Sequence, residues 1–596
     1  MLDPRIYRAA LLPVVLALIV CAFSLSGRPR PIGTTLDPDA FSQQRALTDL
    51  RELAWAFPAR RPGDSGDAAL AARLAAEFWA MGSYQVSTPS FDGETVDGKR
   101  RLTTVMARQV GQPGPGLVVV AHRDALGRGA QAELSGTAAM LELARVVRGG
   151  HLHRTVTFVS TSGGSGGLAG ARDLVHRLTG STDAVLVLGD LAGRAVRRPF
   201  VVGWSTRDGI GSLQLRRTIE AAVRAEAGTN PGGSRATSQW ARLAFPVTVS
   251  EQGPLVAADV PAALLSVSGE RSPSADEPIV TGKGSRLAPF GRAALRALTA
   301  LDNGPDLEGP GSSHSLVTLR KVLPVWAVRL LVAALLLSPL LVTVDGFARV
   351  RRRHEAVVPW LWWMVAMAAP LAIALAFAWL LGFTGLLPAT PPEPVASGAI
   401  PFDGVAKVGV GAVALVAVLG WIVLRPAVLR RAGMPSHPPR LQGEGAGSAL
   451  LVAWCALALV LWLINPYAAA LMVPGAHLLL AVVAPEVRLR RSLAIALVAL
   501  SALPFLLVDL SIAGQLGLSP LPFAWFCLLL VAGGVVGPLT WAIWSLVLAC
   551  VLAAFLVAVR SRPAAAAPEE PPITMRGPLT YAGPGSLGGT ESALRR

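Results

Sequence analysis

The chain has 596 residues, of which 52% are hydrophobic and only 15% charged, with a formal net charge of +16. A soluble protein carries about 25% charged residues, so this composition excludes an ordinary soluble globule and predicts membrane spans. In such a chain an excess of Lys and Arg belongs to cytoplasmic loops and does not indicate a nucleic-acid surface. Cys21, Cys455, Cys527 and Cys550 all lie in apolar segments. The stretch from 28 to 320 therefore has neither a disulfide nor a thiolate metal site. Heavy use of Ala, Gly, Arg and Val suggests a GC-rich bacterial genome.

Residues 8–27, RAALLPVVLALIVCAFSLSG, are long and apolar enough to span. They lack a small-x-small cleavage site, so an uncleaved anchor over about 1–28 is expected rather than a signal peptide. The following segment, 29–318, is mixed in polarity and long enough for one α/β domain. From Val322 the chain predicts a run of spans near 322–344, 357–387, 403–424, 447–465, 467–484, 491–511 and an apolar stretch over 521–559. Together these make an all-α polytopic bundle over 319–560 with about seven or eight spans.

The loops alternate in charge. RVRRRH (349–354), RPAVLRRAGMPSHPPR (425–440) and PEVRLRR (485–491) are basic, whereas LPATPPEPVASGAIPFD (387–403), NPY (465–467) and the loop near Asp509 have no Lys or Arg. Basic loops inside place the mixed domain outside and the N-terminus in the cytoplasm of a multi-pass membrane protein. GGVVGP (533–538) breaks the last stretch. Two spans there would put Arg560 and Arg562 outside; one span plus a re-entrant or interfacial piece would put them inside. The tail, 561–596, is rich in Pro, Gly and Ala and is expected to be disordered. Ionisable residues deep in the spans are nearly absent, with Arg329 and Asp509 near the ends, which favours an anchor or packing role over transport.

Within 29–318, strands alternate with helices, the pattern of a mostly parallel sheet with helices on both faces and sites at the strand C-terminal ends. A strand and turn lead to a buried strand ending His122-Arg123-Asp124. GAQAELSGTAAMLELARVV (129–147) gives a turn and a helix. RTVTFVSTSGGSGGLAGARDLV (154–175) gives a strand, a glycine loop and a helix, and AVLVLGDLAG (184–193) gives a strand with Asp190 at its end. The glycine loop lacks the Gly-Lys-Ser/Thr ending of a phosphate cradle.

This order resembles the co-catalytic zinc aminopeptidases, metallopeptidase family twenty-eight, over roughly 44–300. The family motifs are His-x-Asp, Gly-Ala-Asp-Asp-Asn-x-Ser-Gly, Glu-Glu-x-Gly-Leu-x-Gly, Asp-hydrophobic-x-Gly and a late His. The resemblance implies a zinc-aminopeptidase-like α/β fold, with His122 and Asp190 on ligand positions and Asp124 as the acid that orients the histidine. It also implies two zinc ions, a bridging carboxylate and a glutamate base. Here the bridging position is Gln131, the general-base position is Gly164, a further ligand position is Ser165, and the late His aligns with Ser272, with Asp276 after it. His151, His153, His176 and His314 lie elsewhere. Glu133 is two residues past the bridging position, and Arg123 would put a cation near the metals.

Two retained ligands are fewer than the three or four a tight zinc site takes. The expectation is a membrane-anchored peptidase-like protein without hydrolysis and without a zinc cofactor, its outer domain binding a peptide or assembling with membrane-protein partners. The layout also resembles the peptidase-like subunit of the glycosylphosphatidylinositol transamidase and the endoplasmic reticulum metallopeptidases. The alternatives are an active zinc exopeptidase with unorthodox ligands, and transport or lipid handling by the bundle.

Overall fold

The computed structural model describes residues 4–128, 130–178, 181–233, 235–271, 286–387, 391–395, 399–433, 444–484, 486–487 and 489–560. Ser272, Asp276 and the tail 561–596 lie outside the described residues. The mixed domain, called the outer domain after the orientation expected from the loop charges, is built on seven strands: β1 (Gln85–Ser87), β2 (Val105–Gln109), β3 (Gly116–His122), β4 (Val156–Thr161), β5 (Thr182–Leu188), β6 (Val201–Val202) and β7 (Ala262–Leu265). Their order is β1-β2-β4-β3-β5-β7-β6. The inner four, β4, β3, β5 and β7, are parallel, and the three at the edges join antiparallel.

Period-two alternation decides what each strand faces. Leu117, Val119 and Ala121 of β3 join Phe158, Leu186 and Leu265 under the helices Gln43–Ala56, Ser65–Ala80, Ser135–Val147, Leu213–Ala227 and Leu287–Asn303. Val118 and Val120 point the other way with Val159, Val185 and Val187, toward the helices Ala169–Arg177, Ala236–Ala244 and Gln252–Ala257. This second core does not stop at the domain surface. It runs on through Ala241 and Leu243 into the buried residues Tyr467, Met472 and Trp454 of the apolar helices.

Eight helices among the described residues are long and apolar enough to cross a membrane: Arg5–Phe23, Val325–Arg352, Val358–Phe383, Gly404–Arg431, Gly445–Ile464, Pro466–Val483, Arg491–Leu516 and Pro538–Val559. The apolar stretch after 520 divides into a helix of 13 residues, Pro520–Ala532, and the last long helix. At about 1.5 Å per residue the short helix reaches only about 20 Å, less than the ~30 Å hydrocarbon core. The stretch thus holds one helix long enough to cross and one shorter apolar helix. Gly533 and Gly534, followed by Pro538, make the break, Gly534 with φ +73°.

The two chain crossings that flank the outer domain are tied together. Ser26–Gly27 pairs antiparallel with Lys321–Leu323, which pairs with Leu316–Val317. The first helix packs on Val325–Arg352, with the Cys21 thiol donating to the Ala327 carbonyl at 3.3 Å. His477 Nε2 donates to Leu335 O at 3.1 Å, so Nδ1 accepts from the Tyr7 hydroxyl at 3.3 Å.

Helix Ala236–Ala244 seats the outer domain on the bundle. Trp240 Nε1 donates to Tyr467 O at 3.2 Å, and the two rings meet edge to face with centroids 5.1 Å apart. Asn465 Nδ2 donates to Leu243 O at 2.7 Å while its Oδ1 caps the helix that begins at Pro466. Arg242, 1% exposed, pairs with Glu270 at 2.6 Å and donates to Gln515 Oε1 at 3.1 Å. Several bundle segments that touch the outer domain, among them Pro391, 465–467 and 514–517, carry no Lys or Arg.

Candidate functional site

His122 ends β3 where its backbone still pairs with Thr161 of β4, and Thr137 Oγ1 holds its carbonyl at 2.9 Å. Both ring nitrogens face carboxylates. Nε2 is 2.5 Å from Glu133 Oε2, and Nδ1 is 3.6 Å from Glu251 Oε2. Glu251, 3% exposed, sits just before the short helix Gln252–Ala257 and accepts from Thr161 Oγ1 on its other oxygen. Burial alone would pull the His122 pKa down. The hydrogen bonds and charges of Glu133 and Glu251 outweigh it and hold the imidazole well above its ordinary 6.5. This setting between Glu133 and Glu251 favours the charged form of the imidazole.

Asp124, Gln131, Asp190 and Arg123 each find partners close by. Asp124, 0% exposed, does not turn to the imidazole. It accepts from the backbone N–H of Gly164 and of Ser165, both at 3.0 Å, and from the Ser165 hydroxyl. It therefore ties the glycine loop to β3, and the expected contact with His122 is replaced because Glu251 takes that side of the ring. Gln131 Nε2 donates to Ala192 O at 2.6 Å. Asp190 Oδ1 accepts from the N–H of Ala192 at 3.1 Å and of Gly193 at 2.6 Å. Arg123, expected to place its charge near the metals, is buried against Asp67 at 2.8 Å and donates to Ser160 O and Thr103 O. Its charge is matched within the scaffold.

Gly164 is the informative position. A β-carbon built there would lie 2.5 Å from His122 Cβ, 2.7 Å from His122 Cγ and 3.2 Å from Glu251 Cδ. The space a glutamate would need is filled. By contrast, two motif glycines that survive, Gly136 and Gly193, sit where the backbone packs closely. A β-carbon at Gly136 would meet Leu188 O at 2.4 Å, and one at Gly193 would meet the Asp190 carboxylate at 2.2 Å. Ser135 donates to Ala132 O and accepts from the Leu191 N–H at 2.8 Å.

Residues 104–238 match the model of peptidase family M28. The outer domain is M28-peptidase-like. Three solved structures resemble this M28-like domain at low identity. LapA aminopeptidase of Legionella pneumophila is 17% identical over 45% of this chain and 73% of its own, TM-score 0.35. BSAP, a zinc aminopeptidase from Bacillus subtilis, is 12% identical over 45% and 99%, TM-score 0.33. An Acidobacteriales bacterium glutaminyl cyclase is 16% identical over 46% and 99%, TM-score 0.36. A comparison with curated proteins gave no match.

BSAP is named as a zinc aminopeptidase, and the family resemblance implies two zinc ions, so the fit of zinc to these residues matters. Two zinc ions need a bridging carboxylate and terminal ligands that converge. At the bridging position a neutral amide donates to a carbonyl, Asp190 Oδ1 is bound to its own turn, and Ser165 donates to Asp124. Among the described residues no group of three His, Cys, Asp or Glu side chains could hold a metal ion. The residues present do not fit the two-zinc centre.

Sequence reasoning missed Glu251. It belongs to no family motif and is 129 positions from His122 along the chain, so only the fold brings them together. The signal available was the chemistry of a buried histidine next to an acid-bearing turn, which did not point to residue 251.

Proposed function

We propose that this chain is a membrane-anchored, M28-peptidase-like protein whose outer domain binds or assembles and does not hydrolyse peptides. One observation carries the reading: the volume of the general-base side chain at Gly164 is occupied by the His122 ring and the Glu251 carboxylate. Loss of the base at that position costs about 10² to 10⁴ in rate for that step. The continuous apolar core from sheet to bundle supports an assembly role, since the domain is fixed to the membrane part along a buried face.

The orientation belongs to the same proposal. Basic loops in the cytoplasm put the outer domain, the N–H-capping Asn465 and the 387–403 loop on the opposite side, and the last helix returns Arg560 to the cytoplasm.

The test uses the full chain in detergent or nanodiscs. Zinc content is measured by elemental mass spectrometry after zinc exposure and desalting, alongside hydrolysis of aminoacyl substrates. Substoichiometric zinc and no hydrolysis are expected. Two zinc ions per chain, with hydrolysis abolished in His122→Ala, would replace this reading with that of an exopeptidase using unorthodox ligands.

A further inference from the structure

The short helix Pro520–Ala532 meets spanning helices at both of its ends. It starts just after Arg491–Leu516, whose last turn rests against the outer domain, with Arg271 Nε donating to Gln515 O at 3.1 Å. Its other end abuts the last turn of Val358–Phe383, where a β-carbon at Gly382 would collide with the Ala532 carbonyl. From that turn the chain runs on to Pro391, which is seated on Gly167 of the outer domain. Both ends therefore lie at the domain-facing end of the bundle, and the short helix lies across that end.

Its sequence, PLPFAWFCLLLVA, carries no charge. Trp525, Phe526 and Leu529 are buried, whereas Leu521 and Cys527 are exposed. A helix that is apolar all round needs apolar surroundings on its open side as well. Across the end of a membrane bundle those surroundings are acyl chains.

A cavity of about 300 Å³ lies between this helix, the 517–519 turn and the segment that carries Val395, Ile400 and Phe402. That volume is at the lower end of the ~300–1,000 Å³ of small-molecule sites. The deep side is closed by Ile400, Trp525 and Phe526, each buried, while Gly517 and Ser519 at the mouth are exposed. None of the lining residues is charged. Polar groups at the walls are engaged: Trp525 Nε1 donates to Ile400 O at 3.2 Å, and the Leu518 N–H donates to Ala513 O at 2.9 Å. Pro522 has no N–H to offer. Ordered water needs about two to four polar partners per molecule, so these walls suit an alkyl chain better than water. The mouth also adjoins the helix Arg491–Leu516, whose Leu506, Leu507 and Leu510 are each more than half exposed on the lipid side.

We propose that this cavity is a lipid site, taking one acyl chain of a phospholipid from the leaflet on the outer domain's side. The chain enters past Ser519 and lies against Phe402, Trp525 and Phe526. Ile400 and Trp525 share an apolar cluster with Val96 of the outer domain, so the lipid packs into the joint between domain and bundle. This goes beyond the binding role proposed above and does not depend on zinc content or hydrolysis.

The experiment is photolabelling of the full chain in phosphatidylcholine nanodiscs that contain a trace of phosphatidylcholine with a diazirine on one acyl chain. Labelled residues are mapped by mass spectrometry. Label is expected on Trp525, Phe526 and Leu529, and also on Leu506 and Leu507, which report ordinary contact with the bilayer. The Ser519 side chain makes no bond that caps the helix, so Ser519→Trp can plug the mouth. It is expected to cut the cavity label about tenfold, the factor that ~1.4 kcal/mol of exclusion yields, and to spare Leu506 and Leu507. If Ser519→Trp also loses the label on Leu506 and Leu507, Phe402→Trp, a plug from the opposite wall, decides. A second arm replaces the probe with a free fatty acid bearing the same diazirine, which is expected to label the cavity less than the phospholipid does. Label confined to the outward Leu521 and Cys527, cavity label unchanged by the plug, or cavity label from the fatty acid alone would overturn the proposal.

Discussion

A β-carbon at Gly164 would stand 2.5 Å from the β-carbon of His122. The two positions that in the resembled enzymes would carry a base and a ligand here exclude each other sterically. Gly164→Glu is therefore expected to destabilise the outer domain by about 1–3 kcal/mol, the usual range for overpacking. Thermal unfolding followed by near-ultraviolet dichroism checks this. An unchanged melting temperature with gained hydrolysis would show the His122 region to be a working site lacking only its base.

The His122 ring between Glu133 and Glu251 gives the domain a pH dependence with a definite sign. The folded pKa of His122 is raised above its unfolded value near 6.5. Its contribution is thus fully present below about pH 6.5 and is lost as pH rises through the folded pKa. The difference in stability between wild type and His122→Gln is expected to be largest in mild acid and to shrink on the alkaline side. Denaturant titrations at a series of pH values read it, and a difference that grows toward alkaline pH would refute the assignment.

Glu133→Gln removes the closer of the two carboxylates and leaves the histidine with Glu251 alone at 3.6 Å. A hydrogen bond to a charged group contributes about 1.5–3 kcal/mol, so a loss of about 2 kcal/mol is expected. The His122 ring pKa, followed by the pH dependence of its carbon-bound proton shifts, should fall.

Trp240 and Asn465 fasten the outer domain to the bundle from opposite partners. Trp240→Ala is expected to cost about 2–3 kcal/mol at this contact, since the ring is half-buried. Its visible effect should be faster proteolytic release of the outer domain from intact protein in nanodiscs. Equal cleavage rates in wild type and variant would mean that the apolar core alone holds the two parts.

Orientation is open to a direct assay. Thr384→Cys, at the loop that joins the outer domain, is expected to react with a membrane-impermeant maleimide added outside. Arg353→Cys, in the first basic loop, should react only after the membrane is opened. The reverse pattern would invert the topology.

Much of this architecture could be read from local sequence. The β3 run LVVVAH and the β5 run AVLVL are short, apolar and bounded by turns, and both form central parallel strands. The long apolar helices followed from length and hydropathy in the same way. The break after residue 532 was visible as glycines, but whether it made two spans depended on how far 13 residues of helix can reach. The site was legible only in outline. His122, Asp124 and Asp190 were found through their motifs, whereas their partners were set by tertiary geometry. Asp124 bonds the glycine loop 40 positions away, and Glu251 arrives from a turn with no pattern of its own. The docking of Pro391 on Gly167 left no periodic trace, because a proline-rich loop reads the same whether it lies in water or on a protein.

The shared core between sheet and bundle also sets a timetable. Trp240 and Tyr467 are 227 positions apart. At about 5–20 residues per second, synthesis takes roughly 10–45 s to pass from one to the other. Through that interval the underside of the domain, with Trp240, Leu243 and Phe245, lacks the helices it rests on in the folded protein. A nascent chain of this protein therefore depends on a holding factor or on the bilayer surface until its sixth long helix emerges, and a chain cut short before that point is expected to aggregate.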